Sequence, residues 1–195
     1  MGNQLKYDRK WIIMHKILPA STSLKDFEKF LKSDYEVGLF LDVHIAQLKN
    51  IALLAKQHNK KMIYHLDLVQ GLKNDEYGTE FICQEYKPIG VISTKSSVIL
   101  KAKQKGVLAI QRMFLLDSHA LEKSYSIIEK TKPDYVEVLP GVIPSMIQEI
   151  KDRTKTKIIA GGLIRSVEDA QNVLDAGAES ITTSQKEIWE HFSGK

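Results

Sequence analysis

Short apolar runs recur along the chain, and each run is followed by a polar turn and a longer segment with helical periodicity. This alternation predicts parallel strands joined by helical crossovers, because two parallel strands need a long connection between them. The predicted strands are Ile17-Leu18, Val37-Leu41, Met62-Leu66, Ile89-Ser93, Leu108-Met113, Tyr135-Leu139, Lys157-Ala160 and Ser180-Thr183.

The segments between these runs carry apolar residues three and four positions apart and charged residues on the opposite face, which is typical of helices packed on a sheet. The clearest of them are residues 45–57, 97–105, 119–131, 144–153 and 166–176. The residues that predict helix starts or ends are Ser97, Pro144, Ser166 with Asp169 as a capping box, Gly106 and Gly177.

Parallel strands with helical crossovers form either an open doubly wound sheet or a closed barrel. Eight strand–helix units favour closure, since a TIM-type (β/α)8 barrel has this count. With 195 residues and 43% apolar content, the chain can bury one sizeable core but is too short for two ordinary α/β domains. We therefore expect residues 1–195 to form a single α/β domain, a (β/α)8 barrel of minimal length without an inserted domain.

Charge and cysteine content restrict the classes of protein to consider. The chain has 28 Lys and Arg against 24 Asp and Glu, a formal charge of +4, which suits a polyanionic partner but is common in proteins that have none. Cys83 is the only cysteine, so neither an intrachain disulfide nor a cysteine-based zinc cluster can form. No window approaches the ~20 apolar residues that cross a bilayer. We expect a cytoplasmic protein without a membrane contact.

Polar residues gather where the predicted strands end. In a (β/α)8 barrel the ligand site forms at the carboxyl ends of the strands. In chain order these ends carry Pro19-Ala20-Ser21, Asp42, His65 with Asp67, Ser93-Thr94-Lys95, Gln111-Arg112, Glu137 with Pro140-Gly141, Gly161-Gly162 and Thr182-Thr183-Ser184. This distribution predicts that a polar ligand binds at that end of the barrel.

Five of these residues are candidates to bind the hydroxyl-bearing part of a ligand: His65, Asp67, Lys95, Arg112 and Glu137. Because side chains alternate along a strand, we expect His65 and Asp67 to share one side, as do Ser93 and Lys95. Glu137 lies between two valines, and a carboxylate there is tolerated best inside the open top of the barrel, near counter-charges. The alternative interpretation is a structural ion-pair network that closes the barrel.

Two turns have the chemistry of an oxyanion site. Gly161-Gly162 end one predicted strand, and Thr183-Ser184 end the next. Glycines let backbone N–H groups approach a phosphate, and phosphate sites of this fold usually lie after the last two strands. We therefore expect these four residues to bind a phosphate. Alternatively, the glycines only make a tight turn and the hydroxyls only cap the last helix, and a contact from Arg165 to the phosphate is left open.

Seven ordered motifs stand at the predicted strand ends: Ile17–Ala20, His65–Gly71, Val91–Lys95, Gln111–Ser118, Val136–Gly141, Ile159–Ile164, and Thr183-Ser184 with Trp189. Together they resemble the glycerol uptake operon antiterminator family, the glycerol-3-phosphate-responsive regulators of glycerol genes in Gram-positive bacteria. The chain departs from that pattern at Met113, where Leu is more usual, and in a polar segment from Gly2 to Lys10. Neither departure touches the proposed site.

The resemblance implies a barrel that binds glycerol 3-phosphate as an effector and then acts on the leader mRNA of glycerol-metabolism operons, preventing termination and stabilising the transcript. It implies regulation without turnover, so that no residue is catalytic and no cofactor or metal is needed. The phosphate would lie on the four turn residues, and the glycerol hydroxyls would face the five candidates named above. We expect no DNA partner and leave a homo-oligomer open.

Only electrostatics gives local support for RNA binding. The sequence contains no ribonucleoprotein motif, KH loop or tandem zinc knuckle. Three clusters could follow a phosphate backbone: Lys56, Lys60 and Lys61; Lys101, Lys103 and Lys105; and Lys151, Arg153, Lys155 and Lys157. Such clusters are more often solvated helix faces, so the expectation of RNA binding rests mainly on the resemblance.

The main competing interpretation is a phosphate-binding TIM-barrel enzyme that acts on glycerol phosphate or a sugar phosphate. Lys95 could form a Schiff base, and His65 or Glu137 could transfer protons. A prenyl transferase would need an apolar groove and a cation, which Asp42 and Asp67 could hold, but nothing indicates the groove. A purely structural protein would leave the polar mouth unexplained. We rank these interpretations as regulator, enzyme and scaffold.

Overall fold

The structure is a computed structural model that describes residues 15–194, and in this range it is a closed barrel of eight parallel strands surrounded by eight helices. Residues 1–14, which include the polar segment from Gly2 to Lys10, and residue 195 lie outside the described part. The predicted (β/α)8 barrel is confirmed.

Strands and helices alternate along the chain. The elements are β1 (Ile17–Ser21), α1 (Leu24–Lys32), β2 (Val37–Phe40), β3 (Val43–His44), α2 (Ile45–Gln57), β4 (Lys61–His65), β5 (Val69–Gln70), α3 (Glu76–Tyr86), β6 (Gly90–Ser93), α4 (Ser96–Gln104), β7 (Leu108–Phe114), α5 (Ser118–Thr131), β8 (Tyr135–Leu139), α6 (Pro144–Thr154), β9 (Lys157–Gly161), α7 (Val167–Asp175), β10 (Ser180–Thr183) and α8 (Lys186–Phe192). A short 3-10 helix, Leu66–Leu68, lies between β4 and β5.

The first strand closes the barrel. It pairs in parallel with β10, where Ile17 is opposite Ile181, and with β2, where Ala20 is opposite Leu39. The order around the barrel is β1-β10-β9-β8-β7-β6-β4-β2. The strands β3 and β5 form a separate two-stranded sheet beyond the carboxyl ends of β2 and β4. Sequence patterns did not predict this small sheet, because two-residue strands have no periodicity to detect.

Two apolar layers hold the barrel together. Inward-facing side chains form the first layer, and the opposite faces of the strands pack against the helices to form the second. The interior contains Leu18, Ala20, Val37, Leu39, Ile63, Ile89, Ile92, Leu108, Ile110, Tyr135 and Ile159. Each fully buried aliphatic side chain contributes about 1.5–3 kcal/mol relative to an exposed one.

Most helix boundaries agree with the predicted signals. Pro144 is the first residue of α6, Ser166 and Asp169 form a capping box, and Gly106 and Gly177 follow α4 and α7 with φ of +76° and +103°. The helix α4 begins at Ser96, earlier than Ser97 predicted, because Lys95 is its N-cap residue. Within residues 15–194, no helix has both the length and the apolar character needed to span a bilayer.

Two strands end before the residues whose direction was predicted from strand alternation, Asp67 and Lys95. The strand β4 ends at His65, and the next residues, including Asp67, turn into the 3-10 helix. Likewise β6 ends at Ser93, and Lys95 caps α4. Strand alternation therefore does not decide whether His65 and Asp67, or Ser93 and Lys95, share a side, because Asp67 lies in the 3-10 helix and a bend at Thr94 separates Lys95 from β6.

The packing of α1 on β2 leaves no space for a side chain at Gly38. A Cβ at this position would lie 2.6 Å from the Cζ atom of Phe30. We expect Gly38→Ala to lower the free energy of unfolding by about 1–3 kcal/mol, because added volume in a close-packed core forces neighbours to shift. Urea denaturation measures this loss. Phe30→Leu in the same chain makes room and should recover part of it, whereas a fully stable Gly38→Ala would contradict the packing.

Candidate functional site

A cavity of about 260 Å³ opens at the carboxyl ends of the strands. This volume is below the roughly 300–1,000 Å³ of pockets for drug-sized molecules, so the cavity suits a small ligand. Its lining consists of Ala20, Leu39, Leu41, Arg112, Glu137, Leu139, Gly162, Leu163, Ile164, Arg165, Thr182, Thr183, Ser184 and Gln185. We call it the ligand cavity.

The charged side chains of the ligand cavity favour an anion. Its lining contains two cations, Arg112 and Arg165, and one carboxylate, Glu137. Glu137 is already neutralised by Arg112, since Nε of Arg112 lies 2.7 Å from Oε2 of Glu137. An anionic ligand in the cavity would therefore be attracted by the exposed Arg165, and no unpaired carboxylate among the lining residues would repel it.

Glu137 points into the top of the barrel, as predicted. Its side chain is fully buried, and both carboxylate oxygens accept hydrogen bonds. Arg112 on β7 donates to Oε2, and the hydroxyl of Thr182 on β10 donates to Oε1 at 2.9 Å. A buried carboxylate is tolerated when it has a counter-charge and hydrogen bonds, and Glu137 has both.

The hydrogen bond between Thr182 and Glu137 depends on Gly161. The strand β9 lies between β8 and β10, so Thr182 reaches Glu137 across it. A Cβ on Gly161 would overlap the hydroxyl of Thr182 and lie 3.3 Å from Oε1 of Glu137. Gly161 therefore has a structural role beside the phosphate contact predicted for it.

The backbone after β9 is left-handed at two consecutive residues. Gly162 has a φ of +75°, which glycine adopts freely. Leu163 has a φ of +60°, although a side chain makes this conformation unfavourable by about 1–2 kcal/mol. Leu163 is 57% exposed and lines the ligand cavity. Strained residues cluster at ligand sites, and no local sequence signal pointed to Leu163.

The turn after β10 is partly explained by the last helix. The hydroxyl of Thr183 accepts a hydrogen bond from the backbone N–H of Gln185, and the carbonyl of Thr183 accepts one from the indole of Trp189 at 2.8 Å. Thr183 is buried, whereas Ser184 is exposed, and both line the ligand cavity. Of the two hydroxyls, Ser184 is thus the one without a structural partner among the described residues.

His65 is a buried imidazole at the end of β4. Its side chain is 2% exposed, and neither ring nitrogen has a hydrogen-bond partner among residues 15–194. Burial lowers the pKa of His65 to about 4, and the charge of Arg112 acts in the same direction, against Glu137 and Asp67. The ring is neutral at pH 7 and offers one donor and one acceptor.

Asp67 and Lys95 belong to a separate network that joins the loops after β4 and β6. Asp67 accepts hydrogen bonds from the hydroxyl of Ser93 at 2.5 Å and from the N–H and hydroxyl of Thr94. Burial raises the pKa of Asp67, but these hydrogen bonds outweigh it and lower the pKa overall. Asn74 donates to Asp67 and accepts from Nζ of Lys95 at 2.6 Å. Neither Asp67 nor Lys95 lines the ligand cavity.

The structure therefore divides the predicted site residues. The ligand cavity brings together Gly162, Thr183, Ser184, Arg112 and Glu137. Gly161 lies next to Glu137, and His65, which is not a lining residue, is close enough to Arg112 and Glu137 for their charges to shift its pKa. Thr182, which bonds to Glu137 and lines the ligand cavity, was not among the predicted site residues. The alternation of side chains along β10 was a signal that could have found it, since Thr182 lies two residues after Ser180 and therefore on the same face of the strand.

A cation site at Asp42 and Asp67, considered for a prenyl transferase, has no support in the geometry. Asp42 accepts a hydrogen bond from the side-chain amide of Gln70 at 2.6 Å, and Asp67 is held by Ser93 and Thr94. Across the described part of the chain, no three His, Cys, Asp or Glu side chains form a group that fits a metal ion.

The buried ion pair of Arg112 and Glu137 generates a prediction about stability. We expect Glu137→Gln to lower the free energy of unfolding by about 2–4 kcal/mol, because it leaves the charge of Arg112 buried without a counter-charge. The matched control is Glu122→Gln, which breaks an exposed pair with Arg153 and should lower the free energy of unfolding far less, because solvent screens that pair. Equal losses in urea denaturation would contradict the structural importance of Glu137.

His65 generates a prediction about pH. Its pKa is about 4 in the folded protein and near 6.5 in the unfolded chain, so the unfolded chain takes up the proton first as the pH falls. The contribution of His65 to the free energy of unfolding is therefore fully present above pH 6.5, and about 3 kcal/mol of it is lost as the pH falls towards 4. In His65→Gln the decline between these pH values should flatten, and in the exposed control His119→Gln it should not. Urea denaturation at pH 7 and pH 4.5 checks this, and an unaltered decline in His65→Gln would refute it.

Comparisons with known proteins agree on one family. The family model described as glycerol-3-phosphate responsive antiterminator matches residues 17–189. A glycerol uptake operon antiterminator regulatory protein from Listeria monocytogenes str. 4b F2365 has a solved structure with 44% identity and a TM-score of 0.87, covering 90% of this chain and 95% of that chain. A glycerol uptake operon antiterminator-related protein from Thermotoga maritima MSB8 has 29% identity and a TM-score of 0.79, covering 90% and 98%.

A third relative is the Escherichia coli (strain K12) protein YgcP, which is described as uncharacterized. It is 31% identical over 174 residues, which cover 88% of this chain and 91% of the relative. The family match extends from β1 to α8 and includes every residue that lines the ligand cavity. On these grounds the chain belongs to the glycerol-3-phosphate responsive antiterminator family.

Proposed function

We propose that this protein senses glycerol 3-phosphate and regulates transcription without converting its ligand. Glycerol 3-phosphate occupies the ligand cavity, and the occupied protein binds the leader mRNA of a glycerol-metabolism operon in the cytoplasm, preventing termination and stabilising the transcript. The observation that carries the proposal is a small cavity with two arginines and one neutralised carboxylate, in a chain of this family. The proposal includes no DNA or membrane partner.

We assign the phosphate to the wall formed by Gly162, Thr183 and Ser184, beside Gly161. Gly162 is exposed and has no side chain, so a phosphate oxygen can approach its backbone. The exposed hydroxyl of Ser184 can donate to a second oxygen. Arg165 lines the same cavity and contributes positive charge. These groups favour a doubly charged phosphate over a neutral ligand.

We assign the glycerol hydroxyls to Arg112, Glu137 and His65. Arg112 bonds to Glu137 through Nε, and none of the described residues takes a hydrogen bond from its terminal amino groups. His65 has two buried ring nitrogens without partners, which is rare in folded proteins. A hydroxyl group both donates and accepts, so it matches a neutral imidazole. Asp67 and Lys95, in contrast, are assigned to holding the neighbouring loops.

The antiterminator role implies an RNA partner, and this half of the proposal rests on family membership. The basic side chains named above give it limited support, because several have structural partners. Nζ of Lys60 donates to the carbonyls of Ser33 and Tyr35, and Lys101 and Lys105 pair with Glu80.

The competing proposal is an enzyme, and one observation favours it. His65 is a neutral imidazole in the field of the Glu137 carboxylate, and such groups transfer protons in many barrels. However, the lining of the ligand cavity contains no lysine, so a Schiff base has no amine there. Mass analysis of ligand recovered after incubation separates the two proposals. Unchanged glycerol 3-phosphate supports a sensor, and a converted product supports an enzyme.

The proposed phosphate contact predicts the effect of a negative charge at Ser184. We expect Ser184→Asp to weaken binding of glycerol 3-phosphate by ~100-fold or more, because two anions would share one wall. The matched control is Ser118→Asp, which adds the same charge at the first residue of α5, outside the ligand cavity. Calorimetric titration with glycerol 3-phosphate, glycerol and inorganic phosphate measures the loss.

The same variants test the regulatory step. In a gel-shift assay with leader RNA, the wild-type protein should bind more tightly when glycerol 3-phosphate is present. Ser184→Asp should lose this response, and Ser118→Asp should keep it. The absence of heat with millimolar glycerol 3-phosphate would overturn the ligand assignment. Equal RNA affinity with and without glycerol 3-phosphate would overturn the proposal that the ligand controls RNA binding.

A further inference from the structure

A second cavity, of about 380 Å³, lies at the opposite end of the barrel between α5 and α6. Helices run against the strands, so the ends of α5 and α6 lie where β8 and β9 begin. We call this cavity the basic groove and define it by Tyr125, Ile128, Lys132, Pro133, Arg153 and Thr154. Glu129 also lines it, as its one carboxylate among the described residues.

The basic groove presents a planar cation that is fixed in place. The guanidinium carbon of Arg153 lies 3.9 Å from the centre of the Tyr125 ring, so the two groups stack. Two hydrogen bonds to Glu122, of 2.6 and 2.5 Å, hold the guanidinium from one edge and balance its charge, so Arg153 offers a flat surface rather than a free charge. The side chain of Arg153 remains 47% exposed. Exposed guanidinium planes are surfaces on which unpaired RNA bases stack.

Two lysines beside Arg153 occupy backbone positions that favour glycine or asparagine. Lys132 is the C-cap residue of α5 with a φ of +46°. Lys155 is the C-cap residue of α6 with a φ of +52°, and it lies beside the groove, between the lining residues Thr154 and Thr156. A side chain with a Cβ is disfavoured in this conformation. Both residues are exposed, and no carboxylate of residues 15–194 lies within ion-pair distance of either. Attraction to the helix C-terminus offsets part of the strain, and Lys87 at the end of α3 has the same geometry.

Positive charge continues on both sides of the basic groove. From α4, Nζ of Lys103 donates to the carbonyls of Thr131 and Lys132. From α6, Lys151 extends towards α7, since its Nζ would lie 2.7 Å from a Cβ on Gly177. The groove thus lies in the middle of a basic strip along the ends of α4, α5 and α6.

We propose that the basic groove is the surface that contacts RNA, with a phosphate on Lys132 and Lys155 and an unpaired base on Arg153. This inference rests on the RNA-binding half of the proposed function and adds its location. Single-stranded RNA is the partner that fits, because it offers both an anionic backbone and bases that stack on a guanidinium. The apolar floor of Ile128 and Pro133 suits the face of a base rather than a second phosphate.

The location has a structural connection to the ligand cavity. Lys132 is followed directly by Pro133 and then by β8, which carries Glu137. Lys155 precedes β9, which ends at Gly161. Both strands that begin beneath the basic groove therefore end at the ligand cavity, so a shift of either strand moves both sites.

The backbone geometry provides variants that lose charge without losing the fold. Lys132→Asn and Lys155→Asn remove the charges and place a residue that tolerates a positive φ. We expect each single variant to weaken binding of leader RNA several-fold, and the double variant to weaken it by about tenfold or more. The salt dependence, log K against log[salt], should become shallower by about one per lysine removed.

The matched control is Lys87→Asn, which makes the same change at the end of α3, away from the basic groove. We expect its RNA affinity and salt dependence to equal those of the wild type. Arg153→Lys keeps the charge but removes the planar group, and should reduce the preference for single-stranded over duplex RNA of the same sequence. Calorimetry with glycerol 3-phosphate should give wild-type binding for all these variants.

The outcomes separate this inference from the function on which it rests. If the wild-type protein binds leader RNA and the Lys132→Asn, Lys155→Asn double variant binds it equally well, the groove is wrong and the RNA-binding function stands. If Lys87→Asn weakens binding as much as Lys132→Asn, the effect is one of net charge and the groove is again wrong. If the wild-type protein binds no leader RNA with or without glycerol 3-phosphate, the proposed function fails and the groove fails with it.

Discussion

A buried carboxylate imposes the arrangement at the top of this barrel. Glu137 is fully buried and needs both a counter-charge and hydrogen bonds, which Arg112 and Thr182 supply from two other strands. Thr182 can reach it only because Gly161 has no side chain in the strand between. The charge of Arg112 then adds to burial in keeping the His65 pKa low. One carboxylate thereby accounts for residues on three other strands, and it fixes two of the residues that line the ligand cavity, Arg112 and Thr182.

In the two turns that we propose to bind the phosphate, different residues serve stability and ligand contact. Gly161 is needed for a close approach within the protein, and the hydroxyl of Thr183 accepts the N–H of Gln185. Those two residues therefore have structural reasons to be what they are. Gly162 and Ser184 are exposed in the ligand cavity. The proposed phosphate contact depends most on this second pair.

The barrel separates its charged groups between two ends. The ligand cavity at the carboxyl ends has polar groups that are mostly bonded to one another, as expected where parallel strands bring side chains together. The basic groove at the amino ends has an arginine stacked on Tyr125, and Lys132 in the groove and Lys155 beside it have left-handed backbone. Residues at the amino ends of barrel strands usually serve stability. Stability does not explain Lys132 and Lys155, because a positive φ is unfavourable for a residue with a Cβ. The RNA contact that we propose for the basic groove offers a functional reason for these residues.

The sequence by itself determined the eight strands, the helices with their Pro144 and Ser166 starts, and the inward direction of Glu137. These features depend on periodicity, on caps only a few residues long, and on the cost of burying a charge. Only the tertiary structure decided that Asp67 and Lys95 do not line the ligand cavity. Their positions depend on where β4 and β6 stop and on bonds between residues more than twenty positions apart, such as Asp67 with Ser93 and Thr94, and these long-range distances are set by packing rather than by local pattern.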